Sequence, residues 1–263
     1  MIDAAAFDAL AAGYDRAFTA TLLGRLLRER VWQLLGEQIR PGQRVLELAC
    51  GTGEDALWMA RHGVEVLATD GAAGMLQVAR QKAEQAGLGG MIQFDQRALQ
   101  QLSDGLPGGY GRLDGVFSDF GGLNTIGDWR PLAGALAESV RPGGWVLLVV
   151  MGPTCPWEMG WHLLHGQPRQ AFRRLQEPAQ ARVGGQTIPV WYPSPRRLEG
   201  AFAPWFHRRR TASLGLWLPP TYLGHLVARR PRLLATLDRL ERATAALAPG
   251  WGDHYMLLLE KRR

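Results

Sequence analysis

Residues 44–53 read RVLELACGTG, an apolar stretch that runs directly into a turn with glycine at 51 and 53. Such a segment predicts a short buried strand, a tight turn and the first turn of a helix, here Glu54 to Arg61. Small turn residues let the backbone approach a ligand, and the helix start leaves N–H groups free to bind it. The pattern then repeats. Val64–Thr69, Met91–Phe94, Gly115–Ser118 and Trp145–Met151 read as strands, and Ala72–Gln85 and Trp129–Val140 as helices. The last of these strands is apolar throughout, as a strand covered on both faces should be. Alternation on this scale predicts a Rossmann-like, doubly wound α/β fold whose sheet is mostly parallel, with right-handed crossovers.

Two flanks frame this core of residues 41–151. Residues 1–40 read as an N-terminal helical cap. Ala4 to Leu10 is apolar, Gly13-Tyr14-Asp15 breaks it, and Thr19 to Ile39 carries leucines at helical spacing with arginines on the other face. After strand five the pattern fails. Residues 152–218 hold five of the ten tryptophans and, between Arg169 and Arg210, nine arginines, so they read as an inserted lid. Residues 219–263 read as a helix over 221–247 and a final strand, HYMLLLEK, completing the core.

The chain of 263 residues is 46% hydrophobic and 21% charged, which excludes disordered and fibrous classes. No run of 18 apolar residues exists, and MIDAAAFDAL has acid where a secretory signal has base, so a cytoplasmic protein is expected. Two cysteines are too few for a disulfide framework. The net charge is +6, and 28 of the 30 basic residues are arginine. A generally basic surface and an anionic partner both fit that excess. A small-molecule partner is expected, nucleic acid is the less favoured one, and the chain is expected to be a monomer or homodimer. No Cys/His/Asp spacing makes a metal site, so none is expected.

Asp70 ends the second strand, 17 residues after Gly53, where an acid can accept hydrogen bonds from both ribose hydroxyls of an adenosine. A dinucleotide fits less well. The fingerprint's third glycine is Ala56, and Glu47 inside the strand end would repel a pyrophosphate. An acid there suits a cationic ligand end.

The stretch VLELACGTGEDALWMARHGVEVLATDGAAGML, with FDQRALQQL, DGVFSDFGGLN and RPGGWVLLVV, resembles the class I S-adenosylmethionine-dependent methyltransferases over residues 40–151. The resemblance implies S-adenosylmethionine as cofactor and S-adenosylhomocysteine as product. It places Glu47, Ala49, Gly51 and Gly53 along the cofactor, at its methionine part, and Asp70 on the ribose. Gly71 and Met75 would flank the adenine. Ala98 stands where the family usually has an adenine-binding acid, so contact at Ala98 and Leu99 would run through backbone. Ser118, Asp119 and Phe120 end strand four, where cofactor and acceptor meet, and Tyr14 resembles N-terminal tyrosines that close over the cofactor.

The acceptor is expected between strand four and the lid. Trp157 and Trp161 share a helical face there, and Asn124 follows strand four, so these three are candidate acceptor contacts. His162 and His165 are candidate general bases, with Asp119 as an orienting acid. The expected activity is methyl transfer to oxygen or nitrogen of a small aromatic or hydrophobic molecule. The alternative, an RNA methyltransferase, lacks an N-P-P-Y-type motif after strand four, where the chain has Ser118-Asp119-Phe120-Gly121.

Overall fold

A computed structural model describes residues 5–263, so Ala4, the expected first helical residue, lies outside the described residues. Five strands come in the first half: β1 (Arg44–Leu48), β2 (Glu65–Asp70), β3 (Ile92–Gln96), β4 (Leu113–Ser118) and β5 (Val140–Met151). β6 (Ala179–Val183) and β7 (Gln186–Val190) form a separate hairpin, and β8 (Phe206–Leu214) and β9 (His254–Lys261) return to the main sheet. The sheet runs β3-β2-β1-β4-β5-β9-β8, with β1 to β5 parallel and β9 and β8 antiparallel. The strand order reverses between β1 and β4, so a crevice opens beyond their carboxyl ends.

Among the described residues, twelve α-helices surround the sheet: α1 (Ala5–Asp8), α2 (Ala11–Tyr14), α3 (Leu22–Gly36), α4 (Glu54–Arg61), α5 (Ala73–Gln85), α6 (Leu99–Ser103), α7 (Arg130–Ser139), α8 (Pro156–Leu164), α9 (Pro168–Ala171), α10 (Pro195–Phe202), α11 (His225–Ala228) and α12 (Pro231–Thr244). Side chains of β5 alternate between the two faces. Leu147 and Val149 join the core under α3, α4 and α12, while Val146, Leu148 and Val150 join the core under α7 and α10. Among the described residues, no helix is long and apolar enough to cross a membrane.

The expected N-terminal helix from Thr19 starts at Leu22, because the Thr21 hydroxyl accepts the Gly24 N–H at 3.0 Å and caps it. A single π-helical stretch, Asp15–Thr19, precedes it. Pro231 splits the expected helix over 221–247, standing at the first position of α12.

The expected lid of 152–218 divides. Residues 152–192 leave the carboxyl end of β5, and the Trp191 N–H donates to the Asn124 carbonyl beyond β4 at 2.9 Å. The β6–β7 hairpin packs against Ala6 and Phe7 of α1 and against Met151. From residue 195 onward the segment belongs to the core: Leu198 and Phe202 of α10 are fully buried against the sheet, and β8 is its edge strand. The basic run on β8 is not near the crevice. Phe206 pairs with Lys261 at the sheet's other end, and Leu214 with His254 at the crevice end. Arg208, Arg209 and Arg210 pair with Glu199, Glu260 and Glu37. Charges on an edge strand resist pairing with another sheet.

Gly115 of β4 lies opposite Trp145 of β5, and a Cβ there would sit 2.1 Å from the indole. Gly115→Ala should therefore destabilise the fold by about 1–3 kcal/mol through overpacking. Urea unfolding measures this; a shift in the midpoint corresponding to less than 0.5 kcal/mol or so would mean that Trp145 has room to move.

Candidate active site

The two turn glycines have different duties. Gly51 has φ +53, and nothing lies within 4 Å of where its Cβ would be, so its backbone faces open space in the crevice. Gly53 has φ +74 and a Cβ there would sit 2.8 Å from that of Ala79, so it lets α4 pack against α5. Gly53 does not border the pocket; Ala49, Cys50, Gly51 and Thr52 do. Asp70 borders it from β2, accepting the N–H of Gly51 at 2.9 Å and of Ala72 at 2.8 Å. Burial pushes its carboxyl above the usual value despite those bonds. Gly71, Met75, Ala98 and Leu99 continue the wall, as expected from their motifs.

The N-terminal helices close the opposite side. Phe7 and Tyr14 border the pocket. Asp8 accepts the Gly74 N–H at 2.6 Å, at the start of α5. Asp15 accepts the Thr52 hydroxyl at 2.7 Å and pairs with Lys82 at 3.0 Å, and Lys82 also reaches Glu54 at 2.7 Å.

A buried charge cluster stands at the junction of α3, α4 and β4. Arg28 pairs with Asp55 and, at 3.3 Å, with Asp119. Trp32 donates its indole N–H to Asp55 at 2.6 Å. Burial opposes ionisation of Asp55, but Arg28 and the hydrogen bonds from Asp119, Arg28 and Trp32 hold its carboxyl below the usual range. Burial, and then the charge of Asp55, push Asp119 well above it. The two carboxyls that face Arg28 are thus shifted in opposite directions. Glu47, at the end of β1 beneath the turn, is 1% exposed, and neither of its carboxylate oxygens has a hydrogen-bond partner among the described residues. Burial, then the charges of Asp55 and Asp119, push its carboxyl well above the usual value. A buried acid left without a partner marks a place for a ligand that brings one. Glu47 does not itself border the pocket; its unpartnered acid beneath the turn, the open face of Gly51 and the free lone pairs of Asp70 together fit an adenosine with a cationic tail.

Phe120 follows Asp119 with φ +40, rare for a residue with a side chain. Its ring meets Phe18 at 4.7 Å and His254 at 5.4 Å, and the Arg28 guanidinium lies 4.9 Å from its centre. Phe120 borders the pocket as expected.

Other expected site residues lie elsewhere. Ser118 is fully buried and donates to the Leu48 carbonyl at 3.0 Å, joining β4 to β1. Asn124 is equally internal: its amide donates to the carbonyls of Met151 and Trp191 and accepts the Met151 N–H at 3.0 Å. Both side chains are occupied by backbone and face no pocket. Trp157 donates to the Trp217 carbonyl and packs against the larger core, while Trp161 meets His165 and His225. Neither histidine of α8 reaches the pocket. His162 bonds Gln167 at 2.8 Å and His165 the Trp161 carbonyl at 2.7 Å, both on the outer side of α8.

Beside the crevice lies a second polar cluster. Arg174 donates to Glu158 at 2.7 Å, to Asp253 at 2.6 Å and to the carbonyls of Gly152 and Asp253 at 3.3 and 3.0 Å. Cys155, Glu158 and Asp253 place ligand-type atoms within 4.8 Å of one another, but the Arg174 guanidinium supplies the cation between the two acids.

Sequence reasoning missed Arg28, assigning the arginines of α3 to its outer face. The signal was there: Arg28 lies four residues after Gly24 and three before Val31, on the buried stripe. Asp55, in the first turn of α4, gave none beyond its ordinary place at a helix start. Arg28→Met should leave two acids in a dry site without a counter-charge and cost about 3–5 kcal/mol of stability. Thermal and urea unfolding would register it; an unchanged midpoint would mean that the acids simply take up protons.

The family model of a methyltransferase domain matches residues 45–144. A demethylmenaquinone methyltransferase of Clavibacter sepedonicus is 28% identical over 80% of this chain and 86% of its own. One from Mycobacterium sp. strain KMS is 30% identical over 72% of this chain and 78% of its own. The solved complex of DhpI with S-adenosylhomocysteine superposes with a TM-score of 0.58 at 18% identity, over 98% of this chain and 95% of that one. The glycine turn, Asp70 and the strand order agree with these likenesses, and the chain belongs to the class I S-adenosylmethionine-dependent methyltransferases.

Proposed function

We propose that the protein methylates a small, hydroxylated aromatic acceptor of quinol type. The observation that carries this reading is the ring wall beside the glycine turn: Phe120, backed by Phe18 and His254, with Phe7 and Tyr14 opposite. Flat apolar walls favour a flat apolar acceptor. The relatives named demethylmenaquinone methyltransferases support a quinone-type molecule. RNA is less well supported, because the basic clusters are engaged. Arg174 is buried between acids, Arg197 pairs with Glu177, and the arginines of β8 face acids at the far end of the sheet.

When bound, the cofactor supplies an electrophilic methyl group on a sulfonium. Glu47 accepts the ammonium of its methionine part, Asp70 the ribose hydroxyls, and Ala98 and Leu99 present backbone to the adenine. The N-terminal helices, which bring Phe7 and Tyr14 to the pocket, exclude water and hold the acceptor in line. Asp119 keeps Asp55 and Arg28 in register beside Phe120.

Calorimetry tests the cofactor assignments. Asp70→Ala removes at least one charge-assisted hydrogen bond, worth about 1.5–3 kcal/mol, and should weaken S-adenosylmethionine binding at least about tenfold. Glu47 enters binding protonated and leaves it ionised, because an ammonium partner favours the carboxylate. Binding should therefore release a proton, and affinity should rise with pH until the raised titration of Glu47 in the free protein is passed. Titrations in two buffers of different ionisation enthalpy count that proton; a count of zero would remove Glu47 as the partner.

The acceptor class is tested by incubating the enzyme with methyl-labelled S-adenosylmethionine and a panel of 1,4-naphthohydroquinone, its 2-prenyl derivative, 1-naphthol, catechol and unmodified tRNA. Methylated naphthols or hydroquinones are expected. Label in tRNA alone would replace this reading.

A further inference from the structure

We propose that His254, oriented by Asp253, is the base that receives the acceptor's hydroxyl proton; this rests on the reading of the acceptor as a hydroxylated aromatic. His254 opens β9, paired with Met151 at the end of β5 and with Leu214 at the end of β8, so it stands at the crevice end of the sheet. Of the six histidines it is the buried one, at 5% exposure. Its ring stands edge-on to Phe120, at 84° and 5.4 Å between centres, one ring's width from the cofactor pocket. Phe120 holds its place there with a left-handed backbone, the kind of local strain that collects at functional sites.

The imidazole is set up as base chemistry requires. Nδ1 lies 3.4 Å from Asp253 Oδ2 and has no hydrogen-bond partner among the described residues. Unliganded enzymes often show such contacts long, to tighten when substrate binds. A carboxylate at Nδ1 sets the tautomer that leaves Nε2 as acceptor and offsets the charge of the imidazolium once it forms. Asp253 is itself held by Arg174, which Glu158 anchors in turn. Burial works against charge on Asp253, but His254 and Arg174 hold its carboxyl well below the usual range. The charged and titratable groups beside the ring's neighbour Asp253 are Arg174, Glu158, Cys155 and Tyr222, and across Phe120 lie Arg28 and Asp119.

The step balances. The acceptor's O–H proton passes to Nε2 as the oxygen's electron pair bonds to the methyl carbon. The electron pair of the breaking carbon–sulfur bond stays on sulfur, leaving a neutral thioether, and the imidazolium loses its proton to water between turnovers.

The test compares wild type with His254→Gln and His254→Ala, using 1-naphthol as acceptor. Removing a general base lowers kcat by about 10²–10⁴-fold. That loss is expected in His254→Gln with melting temperature retained and S-adenosylmethionine affinity within about threefold. The acidic limb of the wild-type pH profile should vanish, and added imidazole should restore part of the activity of His254→Ala, which a merely structural role would not allow. Wild-type kcat and an unchanged pH profile in His254→Gln would overturn the proposal. If wild type methylates none of the aromatic hydroxyls, the acceptor reading fails as to turnover, and a second measurement reads whether 1-naphthol binds at His254. Diethyl pyrocarbonate should modify His254 in the resting protein, read by peptide mass, and 1-naphthol should protect it. A resting His254 that stays unmodified, or that is modified equally with and without 1-naphthol, would overturn the proposal independently of turnover.

Discussion

One guanidinium decides whether the carboxyl ends of β1 and β4 can be built as they are. Arg28 brings a positive charge from α3 into a dry junction where Glu47, Asp55 and Asp119 converge from β1, α4 and β4. Without it, acids this close and this buried would repel one another or all take up protons. With it, Asp55 is held below the usual carboxylate range while Asp119 lies above it, and Glu47 is left over without a partner. The remainder is a site short of positive charge, which suits a ligand that arrives with an ammonium and a sulfonium. The same guanidinium lies over Phe18 and Phe120, so the aromatic wall and the charge cluster share one support.

The first half of the fold was legible because its signals are local. A strand, a glycine turn and a helix lie within eighteen residues, and Asp70 sits at a fixed distance beyond. The expected strands at 44–49, 64–69, 91–94, 115–118 and 145–151 match β1 to β5 within a few residues, except that β5 begins at Val140. Such agreement ends where pairing becomes non-local. β8 reads FHRRRTASL, polar on its outer stretch because it is an edge, and nothing in that run marks a strand until β9 is beside it. The β6–β7 hairpin leans on α1 and Met151, far away in the chain.

Site residues divide along the same line. Gly51, Asp70, Met75 and Leu99 follow from motifs. Ser118 and Asn124 had the right position and the wrong duty, since a polar side chain at a strand end serves backbone as readily as ligand. Histidines were sought where aromatics cluster, on α8, yet the buried one opens a strand that reads as plain core, HYMLLLEK. Only the antiparallel return of β9 carries His254 back to the crevice.

The two sides of the pocket are fastened with different strength. His254 opens a strand paired on both edges, and Asp253 just before it is anchored by buried Arg174. The N-terminal helices rest on two small apolar clusters, Ala6 against the hairpin and Ala11 against Met75, and on polar contacts, Asp8 to Gly74 and Asp15 to Thr52 and Lys82. Contacts of that kind contribute only about 1 kcal/mol each, and the exposed ion pair less. The N-terminal side is therefore the hinged door and the β9 side the door frame. A nucleoside can enter and leave many times while the acceptor's wall stays in place, so exchange of spent for fresh cofactor need not disturb the geometry in which the next acceptor is received.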